Sequence, residues 1–180
     1  MKTSSSSEIK KELLASDKNR IVELCLKLAK YKKENKELLS YLLFEADDEK
    51  KYIAGCKSEI DELFAAMNTS TMYLIRKSVR KILKLTNKYI KYSGLLQTEL
   101  ELRIYFCLRF KESGIQLHKS ESLVNLYSNQ VAKINTTLNK LHEDLQFDYA
   151  KEIQELSLVS SELVSRKEDS IFHKIKKKLF

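Results

Sequence analysis

Ile75-Arg76-Lys77-Ser78-Val79-Arg80-Lys81-Ile82-Leu83-Lys84-Leu85 is the stretch from which the rest of the chain is read. At about 100° per residue, Ile75, Val79, Ile82, Leu83 and Leu85 fall on one side of a helix, with Tyr89 and Ile90 continuing that side. Seven basic residues, Arg76, Lys77, Arg80, Lys81, Lys84, Lys88 and Lys91, share an opposing arc of roughly 140°. No Asp or Glu occurs from Leu63 to Thr98. The pattern predicts an amphipathic helix over about residues 71–92 whose wet face carries charge of one sign. Asn68-Thr69-Ser70-Thr71 reads as its turn and cap, and Ser93-Gly94 as its end, because glycine takes the left-handed conformation that closes a helix.

Apolar residues recur at helical intervals on both sides of this stretch. Upstream, Ser7 caps a short helix through Leu14. Ser16 and Asp17 open a second helix, about 17–32, on Ile21, Leu24, Cys25, Leu28 and Tyr31. Lys32 to Asn35 reads as a connection, followed by a short apolar helix from Leu38 to Phe44. Asp47-Asp48-Glu49 then starts a helix reaching Met67, with acids at its positive end. Downstream, Leu95 to Phe110 is the most apolar helix and is expected at the centre of the core. Ser113-Gly114 stops it, and Ser120 opens a long region to about Ser165. There Tyr127, Val131, Ile134, Leu138, Leu141 and Leu145 alternate in steps of four and three, a seam for helix pairing. One long helix or two, with a break near His142-Glu143-Asp144, are both open; compact packing favours two.

The 180 residues include no proline, and the glycines are Gly55, Gly94 and Gly114, so little interrupts helix anywhere. The fold class predicted is all-α, with about six to seven antiparallel helices stacked as a short α-solenoid-like array or closed as a helix bundle. Residues 1–165 read as a single helical domain and 166–180 as a basic amphipathic tail. A weak repeat is also visible at offsets of 57 to 64 residues: Leu26-Lys27-Leu28 against Leu83-Lys84-Leu85, Glu37-Leu38 against Glu101-Leu102, and Ser58-Glu59 against Ser120-Glu121.

The segment Ile75 to Leu85 resembles one helix of the HEAT and armadillo repeat families, which stack helix pairs into a curved solenoid. The resemblance implies a scaffold or binding surface without chemistry of its own, and it transfers no site residue.

The net charge is +8, a balance that favours nucleic acid, anionic membrane surfaces or acidic proteins as partners. The three cysteines, Cys25, Cys56 and Cys107, are widely spaced and each lies in an apolar stretch. Buried reduced thiols in a reducing compartment are expected. The polar start Met1 to Ser7 is not a secretory signal, and no apolar run reaches the roughly 18 residues of a membrane span, so a cytoplasmic protein is expected. His118, His142 and His173 stand far apart, with no His-Glu-x-x-His, Cys-x-x-Cys or glycine-rich phosphate loop. Catalytic, cofactor-binding and metal residues are therefore expected to be none, and no enzyme is expected.

The expected function is a non-catalytic helical interaction or scaffold module that binds another protein. The alternative is nucleic-acid backbone binding through the basic face at residues 71–92. That face could also be a merely solvated one, or could pair with the acidic helix between Asp47 and Glu62. In the tail, Lys174, Lys176, Lys177 and Lys178 interleave with Ile171, Phe172, Ile175, Leu179 and Phe180. This segment could meet a peripheral anionic membrane or fold onto the protein.

Overall fold

The computed structural model describes residues 2–159. Among them it contains helix and no strand, with eight α-helices rather than six to seven. The described residues group into two compact units divided between Asp47 and Asp48.

The first unit holds α1 (Ser6–Ala15), α2 (Lys18–Tyr31) and α3 (Lys33–Phe44). Ser5, not Ser7, caps α1: its hydroxyl accepts from Glu8 N–H while Glu8 Oε2 accepts from Ser5 N–H at 2.7 Å. This reciprocal pair satisfies two otherwise orphaned donors. Asp17 caps α2 by accepting from Arg20 N–H at 3.0 Å. The expected connection at Lys32–Asn35 shrinks to one extended residue, Lys32, which ends α2 and begins α3. Lys, Glu and Asn tolerate a helical turn, so their polarity alone did not mark a loop. The helices α2 and α3 pack on each other. Tyr41 is the unit's buried residue, whereas Leu14, Leu28, Tyr31, Leu43 and Phe44 are between 61% and 81% exposed.

The second unit holds α4 (Glu49–Ala65), α5 (Met72–Ser93), α6 (Leu96–Glu112), α7 (Glu121–Leu138) and α8, helical over residues 143–159. A 3-10 turn at Leu117–Lys119 joins α6 to α7. The long C-terminal region is thus two helices, broken at residues 139–142. α6 is the axis. It packs against α4, α5 and α7, and its Thr98, Leu100, Leu102, Arg103, Ile104, Phe106, Cys107 and Phe110 are buried all round. Along its length α8 runs in the same sense: Tyr149 Oη donates to Glu101 at 3.2 Å, and Lys111 pairs with Glu155 a few turns on. α4 also parallels α6, through Lys57–Glu101 at 3.1 Å and Tyr105–Asp61 at 2.6 Å. α4, α5 and α6 each touch the other two, and α6 touches α7, so α4 to α7 each pack on a chain neighbour and α6 also on the helix before that, a pattern shared by a helix bundle and by stacked helix pairs.

The core of this unit is aromatic and aliphatic. Phe64, Phe106, Phe110 and Tyr127 form a tilted chain with ring centroids 5.8 to 6.4 Å apart, and Ile60, Val79, Leu100, Leu123, Ile134 and Leu156 are fully enclosed. Cys56 and Cys107 are buried free thiols, and burial pushes the Cys107 thiol up to about 12. Cys25 is half-exposed.

Candidate polyanion-binding face

α5 is well delimited. Thr71 Oγ1 accepts from Leu74 N–H at 3.3 Å, below an Asn68 side chain that accepts from Ser70 N–H at 2.9 Å. At the other end Gly94 adopts φ +69° and donates its N–H to Ile90 carbonyl at 2.9 Å, the left-handed closure expected of glycine. Between these ends Ile75, Val79, Ile82, Thr86 and Ile90 are buried. Their burial fixes the roll of the helix and turns the opposite side outward.

That side carries the basic residues. Lys77, Arg80, Lys81, Lys84 and Lys91 are exposed, and Arg76 and Lys88 half-buried. Lys88 Nζ lies over the rings of Tyr89 and Tyr92, at 5.4 and 5.8 Å from their centroids. Arg76, Lys77, Arg80, Lys81, Lys84 and Lys91 make no ion pair with a described residue. Three acids of the helix from Asp47 to Glu62 are engaged elsewhere. Glu49 accepts from Ser93 Oγ and Thr98 Oγ1, both at 2.5 Å, at the junction of α4, α5 and α6. Glu59 accepts from the Tyr89 hydroxyl. Asp61 accepts from Tyr105 at 2.6 Å and faces Arg109 at 2.6 Å. Hydroxyls and an α6 arginine therefore take Glu49, Glu59 and Asp61, three of the acids that could have paired with the basic stripe. Tyr73 is 65% exposed and lies at the angular position of Lys84 and Lys91.

The groove beside the stripe was not foreseen. An open hollow of about 620 Å³ separates α5 from α7, with Arg80 and Leu83 on one bank and Asn129 and Lys133 on the other. Beneath it sits Arg103, only 6% exposed. Its Nε donates to Glu99 at 2.8 Å, and its Nη1 donates to Asn87 Oδ1 at 3.0 Å and Gln130 Oε1 at 2.7 Å. One guanidinium thus ties α5, α6 and α7 together. The signal was present in the sequence as a lone cation within the most apolar helix, Leu102-Arg103-Ile104, but its partners were not.

A second hollow of about 410 Å³ lies between the start of α5 and the α6–α7 connection. Neither hollow is lined by a carboxylate, histidine or cysteine. Among the described residues no group of His, Cys, Asp and Glu is placed to hold a metal ion, and no helix is long and apolar enough to cross a membrane. The tail residues Lys174, Lys176, Lys177 and Lys178 lie outside the described residues.

Compared with protein-family models, with curated proteins and with solved structures, the chain matches none.

Proposed function

We propose that the chain is a non-catalytic helical interaction module that binds another protein through its first unit. One observation carries this reading: α1 to α3 bury a single residue, Tyr41, and leave Leu28, Tyr31, Leu43 and Phe44 largely in water. A helix pair with so little enclosed apolar area gains little from folding alone, and apolar side chains left in water are available to a partner. The exposed Lys27, Lys30, Lys33 and Lys36 around it favour a partner whose apolar face is rimmed by acids. The test is a photo-crosslinking residue placed at Leu28 or at Leu43 in the native cell. The same second protein captured from both positions supports the reading. Adducts with only another copy of this chain, or no adduct, contradict it.

The exposed α5 cations Lys77, Arg80, Lys81, Lys84 and Lys91, which make no ion pair among the described residues, favour a second reading, binding of a nucleic-acid backbone. Lys and Arg neutralise phosphates and release counterions, so with five exposed cations the slope of log K against log salt is expected near −0.9 per contact, about −4 to −5 in all. Titration of the chain with DNA and RNA over a salt series measures it, and absence of binding at low salt excludes it.

A further inference from the structure

The α5–α7 groove has a property that neither helix shows by itself. No Asp or Glu occurs from Leu63 to Thr98, nor from Ser122 to His142, so both banks are free of acids. On α7, Asn125, Asn129, Lys133 and Thr136 recur at helical spacing and all line the groove, facing Arg80 of α5. Asn129 and Lys133 are exposed. The spacing of the banks is held from below, where Arg103 bridges Asn87 of α5 and Gln130 of α7.

We propose that this groove seats the backbone of a double-stranded nucleic acid, Arg80 at the edge of the α5 stripe supplying one cation and α7 supplying neutral amide donors with a second cation, Lys133. The inference rests on the nucleic-acid reading of α5 and extends it to α7. Phosphate and sugar oxygens are contacted by asparagine and hydroxyl side chains as well as by Lys and Arg. An amide donates to an anionic oxygen without displacing a counterion, so the two banks contribute in measurably different ways. The groove's own lining contains no aromatic side chain on which splayed bases could stack, which favours a duplex there; the exposed Tyr73 stands on the α5 stripe outside that lining. Arg76 to Lys91 span about 22 Å of helix, the length of about six stacked base pairs.

The test uses the full chain, with short mixed-sequence DNA and RNA duplexes, the corresponding single strands, and polyglutamate as a polyanion without phosphates, each over a salt series. The variants are Asn129→Ala, Lys133→Gln and Arg80→Gln, all exposed positions, with helix content checked by circular dichroism. Duplex is expected to bind several-fold more tightly than single strand or polyglutamate. Asn129→Ala weakens duplex binding several-fold with the salt slope unchanged, whereas Lys133→Gln and Arg80→Gln each reduce the slope by about 1. If Arg80→Gln acts but Asn129→Ala and Lys133→Gln do not, α7 is no part of the site and only the α5 reading stands. If the unaltered chain binds no nucleic acid at low salt, both fall. Equal binding of single strand or polyglutamate overturns the duplex assignment.

Discussion

Arg103 ties three helices of the second unit together. It is a buried cation with a carboxylate and two amide oxygens around it, drawn from three helices. Arg103→Leu would leave Glu99, Asn87 and Gln130 without their donor, and truncating one member of a buried charged network costs about 3 kcal/mol or more. Urea unfolding should show that loss with little change in helix content. The partners lie 4, 16 and 27 residues away in sequence, which is why no local pattern revealed them, whereas the 75, 79, 82 spacing was legible at once. Protonation is the other residue-scale consequence. Tyr105 is pushed up to about 12 from 10.0, by burial first and then by its bond to Asp61. Burial likewise pushes Cys107 to about 12 from 9.0 and raises Tyr127 and Tyr149. A pKa raised by folding favours the protonated native state, so this stabilisation is complete below the ordinary values and is lost as pH rises through about 12. Unfolding midpoints should hold below about pH 9 and fall steeply between about pH 10 and 12, and Tyr105→Phe should remove part of that fall.

At the scale of elements, helix ends were read more accurately than helix surroundings. Gly94 was identified as the end of α5, and its φ of +69° shows why. A side chain there meets no atom within 4 Å but must adopt the left-handed conformation, so Gly94→Ala should cost about 1 kcal/mol through backbone strain alone. Thermal denaturation reads it directly. The same logic failed at Lys32–Asn35, where charge was taken for a loop although a single extended residue sufficed to turn the chain. In α7 the heptad seam is real as far as Ile134, with Tyr127, Val131 and Ile134 buried. It does not continue as a coiled coil, because the chain breaks at residues 139–142 and α8 returns along α6. Periodicity reports which face is apolar; it does not say which helix covers that face. For that reason the basic stripe was foreseen and its α7 bank was not.

At the scale of the molecule, apolar burial is unequally shared. α4 to α8 enclose an aromatic and aliphatic core around α6, while α1 to α3 bury Tyr41 and hold much of their apolar surface in water. The sequence showed the same helical periodicity in both units, so their difference in burial was invisible to it. Native-state hydrogen exchange of the isolated chain measures that difference residue by residue. The slowest exchange is expected in Leu102–Phe110 of α6, with the flanking α5 and α7 cores next and α1 to α3 exchanging orders of magnitude faster. Protection of α2 and α3 equal to that of α6 would contradict the account, because the first unit would then be complete without a partner.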